Sequence, residues 1–143
     1  MASLITKSNI PDLRKKIEAL KHILPHTIGN LAKTHYVLGF KTGGGQTDSS
    51  LSGWAARKQP KSKRDKRRVS RAILVDTSHL KNDIDVRRTT FKEIVLGTLD
   101  TGYANYINEG TEHMPQREFL GDSKKLDVKM EKHIIRKFKQ QFG

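Results

Sequence analysis

The chain contains no cysteine, so disulfide bonds and thiolate metal sites are excluded. It also lacks a long apolar run: no stretch approaches the roughly 20 residues that a membrane-spanning helix needs. The first 16 residues have no apolar segment of the kind that a secretory signal contains. We therefore expect synthesis in a cytoplasm, with no membrane insertion.

Apolar and aromatic residues are scarce as well. Hydrophobic residues make up 34% of the 143 residues, and aromatic residues only 6%. A chain of this length forms one domain with a modest core. Because so little apolar surface is available, we expect a sizeable share of the chain to be exposed, or to be buried only against partners.

Positive charge, by contrast, is abundant. Lysine and arginine number 28 against 15 aspartate and glutamate residues, which gives a formal net charge of +13 and an isoelectric point of about 10.1. This balance favours an acidic or polyanionic neighbour.

The first 41 residues predict one long helix. Between Pro11 and Phe40 the apolar residues recur at the three- and four-residue spacing of a single helical face. Ser8 or Asn9 can cap its start. Pro25 lies inside the helix and is expected to kink or split it, because proline removes a backbone hydrogen bond.

The periodicity stops after residue 41 and returns at residue 72. Gly43 is predicted to end the helix, because glycine readily adopts the left-handed conformation found at helix C-termini. Residues 42–71 form an extended basic loop, and thirty residues without regular structure usually indicate function or disorder. We expect neighbouring molecules to hold this loop in place.

Residues 72–143 predict an α+β body. Two strand-like runs, 84–89 and 93–99, are separated by a short polar turn and predict a β-hairpin. A brief helix at residues 103–108 is stopped by Gly110, and a last helix is capped by Asp122 or Ser123. The predicted fold is therefore a single α+β domain, residues 1–143, with the long N-terminal helix and the C-terminal helix packed on a small antiparallel β-sheet.

The basic loop holds the most concentrated charge. Such a stretch can bind phosphates by releasing their counterions, with little sequence preference. Aromatic residues, on which bases would stack, are almost absent from it. The run can also dock on an acidic protein surface, and both kinds of partner remain open. The residues predicted to contact DNA or an acidic partner are Arg57, Lys58, Lys61, Lys63, Arg64, Lys66, Arg67, Arg68 and Arg71.

Trp54 is an isolated large aromatic residue just before this run. It either anchors the loop on its own domain or lies in a subunit interface, where tryptophan and arginine are enriched. We include it among the candidate partner-binding residues.

No catalytic or metal-binding arrangement is predicted. Glu18, His22 and His26 share one helix face, but the zinc metalloprotease pattern places glutamate directly after the first histidine, where this chain has Ile23. Two acid–histidine clusters lack a nearby nucleophile and are better explained as turn residues; they are Asp76 with His79, and Glu109 with Glu112 and His113. We therefore expect neither an enzyme nor a bound cofactor.

The order of these landmarks is itself informative. A long helix ends in Phe40 and a loop carries Trp54; there follow residues 73–80, a hairpin ending at residues 95–98, Tyr103-Ala104, Gly110-Thr111, residues 115–121 and a final helix. In this order the chain resembles the bacteriophage virion morphogenesis family, also described as tail-completion or head–tail joining proteins. The resemblance covers most of the chain and is clearest over residues 32–137. Two positions depart from the family pattern: Ser78 replaces a usual glycine, and Glu109 a frequent aromatic.

The resemblance implies a structural virion protein without catalytic residues. It would form a ring, of six subunits, at the phage neck or tail top, and would be assembled in the cytoplasm of the bacterial host. Its partners would be copies of itself, adjacent neck or connector proteins and tail-tube or tail-terminator proteins, with packaged DNA as a further candidate. The segments typical of the family build the fold and the ring contacts; here they contain Leu80, Tyr103, Tyr106, Gly110, Pro115, Arg117, Phe119 and Leu120.

The net charge is consistent with assembly beside a partner. Six copies at +13 each would gather 78 formal positive charges, which require acidic partners or DNA nearby. We therefore expect the basic loop to face an acidic adaptor or tail-tube ring, or the DNA passage. The alternative function is a basic nucleic-acid-binding accessory protein that binds DNA as a monomer.

Overall fold

The computed structural model describes residues 9–48, 53–56, 62–63, 73–74, 79–99 and 102–142. The fold is α+β, as predicted. Its elements, in chain order, are α1 (Asn9–Thr42), α2 (His79–Asp83), β1 (Asp85–Thr89), β2 (Ile94–Gly97), α3 (Ala104–Glu109) and α4 (Lys124–Phe142). Within the described residues the sheet consists of β1 and β2 alone.

Helix α1 is a single element of 34 residues that continues through Pro25 rather than splitting there. At 1.5 Å per residue it is about 51 Å long. Its end follows the sequence prediction: Gly43 has a φ of 79°, and the amide of Gly44 donates to the carbonyl of Gly39 at 2.8 Å. This six-residue hydrogen bond is the Schellman pattern of a helix C-terminus.

The main core lies at the C-terminal end of α1. Phe40 is 1% exposed and is the centre of a cluster whose other buried members are Trp54, Leu80, Ile84, Ala104, Ile107 and Phe119. Burial of each large side chain contributes about 1.5–3 kcal/mol. The cluster joins α1 to α2, to α3 and to the segments beside them, so one end of the long helix carries most of the core.

The predicted hairpin is present, although its second strand is shorter than the sequence suggested. Strands β1 and β2 pair antiparallel, with Asp85 opposite Gly97 and Thr89 opposite Ile94. The register shifts by one residue between Val86 and Arg88, which forms a β-bulge. The hairpin packs on α1.

Gly29 of α1 allows this close approach. A Cβ atom added there would lie 3.2 Å from Cγ2 of Val86, which is tighter than ordinary side-chain contact. The small residue therefore sets the distance between the helix and the first strand.

Helix α3 ends at Gly110, as predicted, with a φ of 80° and an amide that donates to the Tyr106 carbonyl at 2.8 Å. Helix α4 begins after Ser123, whose Oγ accepts a hydrogen bond from the Leu126 amide at 3.2 Å. Of the two predicted caps, Ser123 is therefore the one that the structure uses.

A carboxylate also lies at this helix start. The Asp48 carboxylate accepts from the Lys124 amide at 3.0 Å, where the helix dipole favours negative charge. This bond ties the segment after α1 to the first turn of α4. Helix α4 packs chiefly along α1.

Candidate interaction surfaces

Most of the predicted basic run lies outside the described residues. This holds for Arg57, Lys58, Lys61, Arg64, Lys66, Arg67, Arg68 and Arg71, and also for Asp76. Lys63 is described, and it is exposed. The role of the run in binding DNA or an acidic protein stays a prediction.

Trp54 is buried in the core of its own domain, at 7% exposure. Its ring meets that of Phe40 edge-on at 5.2 Å between centroids, and its Nε1 donates to the Glu118 carbonyl at 2.9 Å. Of the two alternatives that the sequence left open, this geometry matches the anchor on its own domain.

Arg117 and Phe119 also contribute to the packing around Trp54. The Arg117 guanidinium donates to the carbonyls of Ala55 and Ala56, at 3.0 and 3.3 Å. Phe119 is 3% exposed, and its ring centroid lies 6.0 Å from that of Phe40. Arg117 therefore joins residues 55–56 to the body of the domain, and Phe119 belongs to the same buried cluster as Trp54.

Asn108 completes this arrangement and was not singled out in the sequence. Its Oδ1 accepts from the amides of Phe119 and Leu120, at 2.9 and 3.1 Å, and its Nδ2 donates to the Leu120 carbonyl. The Asn108 side chain thus makes hydrogen bonds with the backbone of residues 119–120 that a neighbouring β-strand would otherwise make. The only sequence signal is an asparagine two residues before the glycine that ends α3.

The other residues assigned to fold or ring contacts divide into two groups. Leu80 is buried and Leu120 half-buried, which fits a role in the fold, whereas Pro115 is exposed. Tyr103 and Tyr106 leave 46% and 60% of their surface exposed. They are three residues apart at the start of α3 and therefore lie side by side.

We call Tyr103, Tyr106 and Glu109 the tyrosine face, since Glu109 lies three residues further along the same row of α3. The chain segment that contains this face is rich in acidic residues. Residues 103–122 contain four carboxylates and a single basic residue; the carboxylates are Glu109, Glu112, Glu118 and Asp122.

A second open surface lies near the other end of α1. It is a groove of about 310 Å³ between α1, the hairpin and α4. Its walls are almost entirely apolar, and we call it the apolar groove; it is lined by Ile17, Leu20, Lys21, Leu24, Pro25, Ile28, Thr90, Phe91, Ile94, Ile134 and Phe138.

Several groove residues are unusually exposed for their size. Phe91, in the turn of the hairpin, is 62% exposed, and Phe138 on α4 is 45% exposed. The Lys21 ammonium lies 6.0 Å from the centroid of the Phe91 ring, at the outer limit of a cation–π contact. Helix α4, which forms one wall, carries seven basic residues against two carboxylates.

His35 is the most enclosed titratable group of the described chain, at 2% exposure. Its Nε2 lies 2.8 Å from the Gln46 carbonyl and 3.0 Å from Ser123 Oγ, and its Nδ1 faces the Lys129 ammonium at 3.1 Å. Since an ammonium can only donate, Nδ1 accepts and Nε2 carries the hydrogen. Burial lowers the pKa of His35, with the nearby Lys129 and Lys125 acting in the same direction.

The His35–Ser123 pair has the composition of a nucleophile with its base, but not the placement. Ser123 is 5% exposed, and its Oγ already accepts from the Leu126 amide as a helix cap. Neighbouring Tyr36 is held in a similar way: its hydroxyl donates to the Gly121 carbonyl at 2.6 Å, and burial raises its pKa. The cluster fastens α1 to α4.

The residues considered for metal binding do not converge. His22 and His26 are exposed, with ring centroids 6.3 Å apart, and the Glu18 carboxylate pairs with Lys21 at 3.6 Å. Among the residues that the structure describes, no three histidine, aspartate or glutamate side chains are placed to hold an ion. In the same part of the chain, none of the helices combines the length and apolar character needed to cross a bilayer.

Comparisons of the chain with protein-family models, with curated proteins and with solved structures found no match.

Proposed function

We propose that the chain is a structural protein of the bacteriophage neck or tail top. In this proposal it forms a ring, of six copies, that completes the tail and joins it to the head-side connector. The role requires no catalytic step, no metal and no cofactor. Its partners are copies of itself, the adjacent connector or neck proteins and the tail-tube or tail-terminator proteins.

The observation that carries the proposal is the apolar surface left open on a strongly charged chain. Phe91, Phe138 and Tyr106 remain between 45% and 62% exposed although only 34% of the residues are hydrophobic. Exposed apolar patches of this kind mark surfaces that bind other proteins. The order of landmarks from Phe40 to residues 115–121 supports the phage assignment.

Reversing four charges of the basic loop tests this function. Replacing Lys63, Arg64, Arg67 and Arg68 by glutamate should leave the monomer folded but block head–tail joining, because the loop would then repel its acidic or DNA partner. Phage carrying the variant should accumulate separate heads and tails, counted by electron microscopy.

A matched control changes the same number of charges elsewhere. Arg14, Lys15, Lys41 and Arg88 are exposed residues of α1 and β1, and their reversal should leave joining less affected. Normal virions from the loop variant would refute the assignment. The net charge of +13 is also consistent with the alternative function, an accessory DNA-binding protein. Tight DNA binding by the isolated monomer at moderate salt, in a gel-shift assay, would favour that alternative.

A further inference from the structure

The apolar groove and the tyrosine face lie at different ends of α1. The groove uses residues 17–28 of the helix, whereas α3 packs through Ala104 and Ile107 against the cluster around Phe40. From the middle of the groove to Phe40 the helix extends about 25 Å at 1.5 Å per residue. A rigid helix of that length keeps the two surfaces of one molecule apart.

The two surfaces match in apolar character. The groove is concave, and its walls include two half-exposed phenylalanines, Phe91 and Phe138. The tyrosine face presents two exposed aromatic side chains, Tyr103 and Tyr106, at the start of a short helix that packs on the core. Aromatic side chains inserted in apolar pockets are the usual anchors of protein interfaces.

Their charges are complementary as well. The groove is bordered by Lys21, by Lys92 next to Phe91, and by the basic helix α4. The tyrosine face includes Glu109, and Glu112 follows it three residues later in the chain; both are exposed. Opposite charges at the rim favour the docked orientation and disfavour groove-to-groove pairing, in which two basic walls would meet.

We propose that the tyrosine face of one copy docks in the apolar groove of the next, so that copies associate head to tail. The inference rests on the proposed ring and names the surfaces that would build it. Such an interface is heterologous: each subunit uses two different surfaces, and repetition gives a closed ring if the rotation closes. The acidic residues of this face give the basic groove of the next copy an opposite charge to meet, although the net charge of each chain is +13.

The test uses one variant for each surface. Phe138→Asp places a carboxylate in the groove, and Tyr106→Lys places an ammonium on the tyrosine face. Both residues are at least 45% exposed, so the fold should be retained, as thermal unfolding can verify. Each variant alone should associate at least tenfold more weakly than the wild-type chain, measured by sedimentation and native mass spectrometry.

Mixing the two variants is the decisive measurement. The groove variant retains its tyrosine face and the face variant retains its groove, so an equimolar mixture should form dimers and stop there. Phe91→Asp, in the hairpin turn, provides a second groove variant with the same expected result. Matched controls are Ile135→Asp, on α4 at 47% exposure but outside the groove lining, and Asn105→Lys, the exposed residue next to Tyr106.

The outcomes separate this inference from the proposed function. A wild-type chain that remains monomeric at high concentration would overturn both the interface and the ring. Wild-type oligomers that persist in Phe138→Asp, Phe91→Asp and Tyr106→Lys would overturn the interface and leave the ring standing. A mixture that forms no dimer, or controls that disrupt association as strongly as the test variants, would also overturn it.

Discussion

At the scale of single residues, His35 couples stability to pH. It is neutral in the fold, with its Nδ1 against an ammonium, so protonation would place two cations in contact. Since its folded pKa is lowered from 6.5, the unfolded chain binds the proton first. The contribution of neutral His35 to stability is fully present above the unfolded pKa of 6.5 and is lost as the pH falls towards the lower folded pKa.

We therefore expect the free energy of unfolding to decrease as the pH falls below about 6.5, and His35→Gln to reduce this slope. Urea unfolding followed by Trp54 fluorescence measures both. His22→Gln, a change at an exposed histidine, is the control and should retain the wild-type slope. An equal slope in His35→Gln would assign the pH dependence to other groups.

Phe119 gives the corresponding test of packing. Its ring is buried against Phe40, so Phe119→Ala should cost about 3–5 kcal/mol through lost contacts and a cavity. Phe91→Ala removes the same atoms from a residue that is 62% exposed and should cost far less. The midpoint of urea unfolding measures the two. If Phe119→Ala changed neither stability nor ring formation, Phe119 would be neither a packing nor an interface residue.

At the scale of elements, several long-range hydrogen bonds meet at the start of α4. Ser123 caps the helix, contacts His35 and is buried, so Ser123→Ala should cost about 1–2 kcal/mol. Asp122→Ala is the adjacent control: its carbonyl accepts from the Asp48 amide, a contact that the substitution retains. Thermal unfolding should therefore show the larger loss for Ser123→Ala, and the reverse order would contradict the assigned cap.

Local signals explain why most elements could be predicted from the sequence. The periodicity of α1, the glycine after it, the two β-rich runs and the polar cap of α4 depend on residues that are close in the chain. The second strand was predicted too long because the Leu99 amide donates to the Asp83 carboxylate, 16 residues away, instead of extending the ladder. A contact at that separation has no local pattern.

At the scale of the whole molecule, the candidate surfaces were harder to predict for the same reason. The apolar groove is formed by α1, the hairpin turn and α4, and the sequence of no single one of these segments predicts it. The contacts of His35 join residues up to 94 positions apart. The family resemblance placed Tyr103, Tyr106, Arg117 and Phe119 together as fold or ring contacts. Only the structure separates the two exposed tyrosines from Arg117 and Phe119, which pack on the domain.

The bonds that fasten the start of α4 have a consequence for synthesis. They join residues 76 to 94 positions apart, so they cannot form until residues 124–129 have left the ribosome. Helix and hairpin formation take microseconds, whereas pairing across such separations is slower. In a nascent chain, the face of α1 that later packs against α4 is therefore exposed to water. A polypeptide truncated before α4 should be prone to aggregate for the same reason.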